Sequence, residues 1–358
     1  MKRFIYLIIL LLPLVNGCTK AGSSSAVEKF DRYIFFSQGV ETKASLIENK
    51  ANLDGHTFGV VGFKYPGTTD WATVISQTPA PTPNVFYDGS SLVNTETLTC
   101  SADGSASYAP LQGWLSSTKY TFFAYYPYTN QNVSLVNLDG TPYTGGVPAI
   151  KYTMNTNAFS SSMVDVMTAP AQTDKYWNSA SDNNVNNSDV RFQFTHRLSS
   201  LGLNVKNSTV GNITITNVIM VVDGIKYTSA VIPLNDADEK YTGPQSSLLQ
   251  GFALALTDEE RSVVATEKEV ATGKEVADKL IFIPQTDNVS ITLTINYQRQ
   301  YGESNPTDDS FTTTTPLTTS LLKGIKNIIY VNFMDSNTYA MIRSNNWDDG
   351  PNVPHEFN

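Results

Sequence analysis

Between residues 289 and 297 the chain alternates without a break. Val289, Ile291, Leu293, Ile295 and Tyr297 are apolar, and Ser290, Thr292, Thr294 and Asn296 lie between them. Side chains of a strand point to opposite faces in turn, so a period of two predicts a half-buried strand. Such a strand must lay its apolar face on another layer, which directs the rest of the chain toward stacked sheets. Val190, Phe192, Phe194 and His196 alternate in the same way with Arg191, Gln193 and Thr195. From Ile213 to Met220 the alternation slips at Asn217, which predicts a bulge or burial of both faces. Tyr33–Phe36, Thr57–Tyr65 before Pro66-Gly67, Val85–Tyr87, Lys119–Tyr126 before Pro127 and Ile328–Phe333 are further β-prone runs. Pro79, Pro81 and Pro83 restrict their segment to loop. Aromatics at 11% suit strands, and charged residues at 16% fall below the roughly 25% of average chains. With almost no helical period, the expectation is an all-β chain of antiparallel β-sandwiches. Asn178–Asp189 is polar and aperiodic. It predicts a linker between an N-terminal domain over 30–184 and a C-terminal domain over 185–358.

The first residues read as an address. Lys2 and Arg3 precede an apolar stretch from Phe4 to Val15, shorter than the ~20 residues a spanning helix needs. The stretch ends at Val15-Asn16-Gly17-Cys18. A small residue directly before Cys at the cleavage position has the form of a bacterial lipobox. Residues 1–17 are then a signal peptide, Cys18 carries the lipid, and residues 18–29 form a Ser- and Gly-containing tether. Two or more acyl chains hold such a protein stably on a membrane. Cys100 is left without a partner, and two cysteines exclude a disulfide framework.

No catalytic set is found. The three histidines, His56, His196 and His355, have no Cys, Ser or carboxylate at the spacing of a triad or a zinc site. His196 shares a face with Phe192 and Phe194 and reads as a core histidine held by a hydrogen bond. Phosphate-binding glycine patterns are missing, and no cofactor is expected. Asp236, Asp238 and Glu239 lack the Gly and distal Glu of a calcium loop, so a solvated turn is expected. A net charge of −9 argues against a nucleic-acid partner. Trp71, Trp114, Trp177 and Trp347 are either core aromatics or a platform on which sugars stack. The aromatics of 120–126 fall on both faces of their run, which suits a strand with core on one side and a loop on the other. Asp258–Lys279 is highly charged and contains a near-repeat at 264–269 and 270–275. It reads as a solvated hairpin or a short helix.

Ordered along the chain, these landmarks resemble one family. They are the lipobox Cys18, Thr42-Lys43-Ala44, Phe58-Gly59-Val60, Trp114 ahead of Phe122–Pro127, and Asp165–Ala169. After them come Phe194-Thr195-His196-Arg197-Leu198-Ser199-Ser200-Leu201, Ile281–Gln285, Lys323–Tyr330, and Trp347 with Gly350. The set is similar to the fimbrillin family, the subunits and relatives of bacterial type V pili. The resemblance implies two transthyretin-like β-sandwich domains in a non-enzymatic lipoprotein of the outer-membrane surface or pilus. It implies removal of the first strand, Tyr33, Ile34, Phe35 and Phe36, by a protease cutting at Lys43. The vacated groove then takes a strand from another pilin subunit. The family often has Arg where this chain has Lys43, and the tail after Trp347 is short, polar and contains Pro351 and Pro354. Both departures point to a tip, accessory or anchor subunit rather than a stalk repeat. The alternative is a stand-alone surface lipoprotein that binds glycans through exposed aromatics.

Overall fold

The computed structural model describes residues 33–40, 53–86, 96–109, 111–128, 131–154, 163–177, 190–244, 247–263, 273–276, 279–335 and 337–346. In chain order the elements are β1 (Phe36–Val40), β2 (Thr57–Pro66), α1 (Trp71–Ile75), β3 (Glu96–Cys100), β4 (Ser105–Ser107), β5 (Thr118–Tyr126), β6 (Val133–Val136), β7 (Ala149–Thr153), β8 (Met167–Lys175), β9 (Val190–His196) and β10 (Ser199–Asn207). They continue with β11 (Asn212–Ile225), β12 (Ser229–Pro233), β13 (Lys240–Thr242), β14 (Leu248–Ala253), α2 (Asp258–Arg261), β15 (Ser262–Val263), β16 (Lys274–Glu275), β17 (Leu280–Phe282), β18 (Gln285–Gln300), β19 (Thr307–Thr312), β20 (Leu317–Leu321), β21 (Ile325–Phe333) and β22 (Thr338–Asn346). The all-β expectation holds.

Seven strands close a barrel in the order β1-β4-β3-β2-β5-β8-β9. Downstream, one sheet runs β16-β10-β21-β22 with β17 on β10, and a second runs β14-β11-β18-β19 with β15 and β20 at its sides. A four-stranded sheet, β13-β12-β7-β6, joins early strands to late ones. The alternating run at 289–297 lies in β18 and buries Val289, Ile291, Leu293, Ile295 and Tyr297. The slip at Asn217 is a register shift between Ile215 and Asn217 in the β11–β18 ladder.

β9, which follows the expected linker, closes the barrel against β1 and β8, and β7 pairs with β12. The polar run 178–189 itself lies outside the described residues. One expectation needs correction: not every pairing is antiparallel, because β1 runs parallel to β9 and β10 parallel to β21.

Two cores lie on the two faces of β5. Tyr120, Phe122, Ala124 and Tyr126 of β5 fill the barrel with Phe36, Phe58, Val60, Phe86, Phe192 and Phe194. Phe123 and Tyr125, on the other face of β5, join Val61, Phe63 and Trp71 in a second core that runs on to Phe333. The outer face of β5 is therefore covered by core rather than by a loop. Close approach of β2 and β5 requires glycine at residue 59, where a Cβ would stand 2.5 Å from the Tyr125 ring. Asp70 caps α1 by accepting from the Thr73 amide at 2.8 Å, and Trp71 is thereby turned into the core.

Of segment 258–279, residues 258–263, 273–276 and 279 are described. Thr257 and Glu260 form a capping box on the four-residue α2, and β15 and β16 follow. The solvated reading fails at its end. Lys279 is fully buried, with its ammonium 2.8 Å from Glu275, which holds Lys326 at 2.7 Å.

Candidate strand-exchange site

The first described segment is a plug in the barrel wall. Ile34, Phe36 and Gln38 point inward and are buried, whereas Tyr33 and Phe35 are 46% and 59% exposed. This is a period of two, and it extends to Gln38, two residues beyond the β-prone run at 33–36. The ladder itself starts later than that run and spans Phe36 to Val40, with Tyr33 contributing an isolated bridge to Gly113. Ile34 and Phe35 precede the ladder, and the chain there is held by a loop. The Ile34 amide donates to the Gln112 carbonyl at 2.9 Å, and the Tyr108 hydroxyl donates to the Ile34 carbonyl at 2.7 Å.

Phe36 is the anchor of the plug. Its ring meets Phe86 at 5.1 Å, Phe122 at 5.3 Å, and Phe192 and Tyr108 at 5.6 Å between centroids. Three of these contacts are edge-on and Phe192 is stacked, arrangements that suit the ring quadrupole. Gln38 is buried, and its Nε2 donates to the Ser101 carbonyl at 3.3 Å while its Oε1 has no hydrogen-bond partner. On one side β1 pairs residue by residue with Val190–Phe194, and on the other with Ala106 and Ser105. Withdrawing this segment would expose the edges of β4 and β9 together with the pockets of Ile34, Phe36 and Gln38. An edge with alternate side-chain pockets is the surface that an added strand requires. Sequence reasoning named the β-prone run at 33–36 and the runs that hold Phe86, Phe122 and Phe192, but not their meeting, and it missed Tyr108 and Gln112. Tyr108 and Gln112 carry no periodic signal, and Phe86 follows a proline-rich loop.

Cys18, Lys43 and Trp347 lie outside the described residues. Trp71 and Trp114 are buried and Trp177 is half-buried against the barrel core, so none of these three offers an open stacking platform. His196 donates from Nδ1 to the buried Asp165 carboxylate at 3.0 Å, which is the core role expected of it. Glu239 departs from the solvated turn. Its side chain is 4% exposed and receives Arg197 at 2.8 Å, Lys323 at 3.5 Å and the Tyr241 hydroxyl, while Asp236 takes Arg197 at 3.3 Å. Burial pushes the Cys100 thiol up to about 12, which leaves it protonated and inert. Among the described residues no three His, Cys, Asp or Glu side chains gather as a metal site, and no helix is long and apolar enough to cross a membrane.

A barrel closed by its first described strand, joined to further sheets, makes this an all-β protein. A family model described as fimbrillin-like matches residues 42–346. The chain belongs to the fimbrillin-like family, whose members are typically structural proteins of the cell surface or pilus. The chain is similar to the crystal structure of a fimbrial protein from Bacteroides vulgatus, with 20% identity and a TM-score of 0.58 over 88% of this chain and 100% of that one. It is also similar to a Bacteroides ovatus structure assigned to cell adhesion, with 15% identity and a TM-score of 0.50 over 89% of this chain and 98% of that one. At these identities the likeness shows the fold alone. No curated protein matches.

Proposed function

We propose that this chain is a cell-surface lipoprotein and a structural, adhesive component of type V pili, at the tip or as an accessory or anchor subunit, joined to other pilin subunits by donor-strand exchange. The observation that carries the reading is the plug. One short segment completes the barrel, inserts alternate side chains into prepared pockets, and is followed three residues later in sequence by Lys43. A single cut there severs the plug from the rest of the wall. The unpaired backbone groups of β4 and β9 are costly to leave unsatisfied, so the opened wall favours a replacement strand.

Trypsin treatment of the folded protein tests this. The expected result is a cut after Lys43, loss of residues 33–40 from the folded remainder, and capture of a synthetic 33–40 peptide by the opened form. At a peptide concentration one hundred times its Kd, capture raises the unfolding free energy by about 2.7 kcal/mol. Resistance at Lys43, or a cut form that keeps its plug and takes no peptide, rejects strand exchange at this end.

The lipid anchor is tested separately. Cys18→Ala is expected to abolish incorporation of labelled fatty acid and to move the protein from the membrane fraction to the soluble one. A variant that still carries lipid and still sediments with membrane disproves the lipobox reading.

A further inference from the structure

The downstream sheets have a pole at the finish of β10, the end opposite the β9–β10 corner. β10 leaves the barrel corner at Ser199 and ends at Asn207, beside Phe333 at the end of parallel β21. The β21–β22 turn, the β10–β11 turn and the β18–β19 hairpin meet at that end. The Val210 amide donates to Asp335 at 3.4 Å, and Asn212 pairs with Gln300. Here the two sheets splay between their outer strands β19 and β22, leaving an open groove of about 740 Å³. That volume is within the ~300–1,000 Å³ of small-ligand sites.

The lining is polar but organised. The inward column of β18 ends in Tyr297 and Arg299, where the dry core gives way to the groove. Tyr297 packs its ring on Phe333 at 4.8 Å and donates its hydroxyl to Asp309 at 2.9 Å. The Arg299 guanidinium lies 5.7 Å over the Tyr297 ring and donates to the hydroxyls of Tyr297 at 3.2 Å and Tyr301 at 3.0 Å. Asp309 stands 3.7 Å from Arg299 and its side chain is half exposed. A guanidinium has five N–H donors and a carboxylate about four acceptor sites, so both retain capacity beyond these contacts. Phe311 and Tyr339 add half-buried aromatic surface, and Asn337 and the threonines of 312–315 add further hydrogen-bonding groups.

Charge selects the class of ligand. Groups of both signs line the groove, Asp309 and Asp335 beside Arg299. A neutral molecule with neighbouring hydroxyls satisfies both groups at once, donating to the carboxylate and accepting from the guanidinium, while its C–H faces lie on the aromatic rings. We propose that this groove between β19 and β22 is a binding site for a neutral oligosaccharide, with Arg299 and Asp309 gripping vicinal hydroxyls beside Tyr339. The site uses no tryptophan and is independent of the plug, so it goes beyond the assembly role.

The uncut full-length chain is applied to an array of neutral and acidic glycans, and the best neutral binder is titrated against the parent, Asp309→Asn and Arg299→Gln. All three proteins are first shown to melt alike. The expected result is binding of a neutral glycan, weakened by about tenfold or more in each variant, because a lost partner leaves a sugar hydroxyl unpaired. Absence of binding to every neutral glycan, binding to acidic glycans only, or neutral binding that both variants retain overturns the assignment. Strand exchange is not engaged in the uncut protein, so neither result bears on it.

Discussion

Truncating Phe36 to alanine destabilises the uncut protein by about 3–5 kcal/mol, read as a lower urea midpoint at unchanged slope. The ring is 3% exposed and touches four other aromatic rings, so its loss leaves a cavity that a closed barrel can fill only by distorting. Phe35, the residue before it, is 59% exposed, and Phe35→Ala is expected to stay within about 0.5 kcal/mol. The contrast isolates packing from any general effect on the strand. Once the plug has been cut away and lost, parent and Phe36→Ala protein become the same molecule. An equal effect at both positions would mean that the plug is not seated as described.

The second large effect is expected at the corner where β9 passes into β10. Arg197→Met leaves the Glu239 carboxylate buried beside a half-exposed Lys323 3.5 Å away, and removal of one partner from a buried pair costs about 3–5 kcal/mol. The double variant Arg197→Met/Glu239→Leu removes both charges, and most of the loss should be recovered. Denaturant titration of the parent, the single variant and the double variant reads both numbers. If the single variant lies within about 1 kcal/mol of the parent, the ion cluster does not lock this corner.

These two sites show what the chain discloses in advance. Phe36 belongs to a local pattern, and alternation is local, so the plug, β9 and β18 are all visible in the order of residues. Glu239 is different. Asp236, Asp238 and Glu239 look like a solvated turn, and only long-range folding brings Arg197 onto Asp236 and Glu239. The same limit applies to strand pairing across the expected linker. A polar aperiodic run marks a place where no strand forms, but it does not say with which strands the next one pairs. β9 returns to β1, 154 positions earlier in the register of Phe36 with Val190, and nothing local encodes that return. Burial of both faces of β5 was legible as aromatics at 120–126, whereas the identity of the second cover was not. The helix at Trp71 had a signal in Asp70 with Thr73, a capping pair outweighed by the surrounding β-prone residues. The groove at the far pole was the least visible feature. Tyr297 reads as the last member of an apolar column, and its hydroxyl chemistry depends on Asp309 across a hairpin.

The direction of β1 also has a mechanical consequence. The strand is zipped on both long sides, parallel to β9 over five residue pairs and antiparallel to β4 over two. A tug on the chain ahead of Tyr33, directed along the strand, loads both ladders in shear, and their hydrogen bonds must slip together while Phe36 is dragged past four rings. A tug across the strand opens them one after another. How long the joint survives under tension is then set by a rate of rupture rather than by equilibrium stability, and by the angle of the pull as much as by its strength.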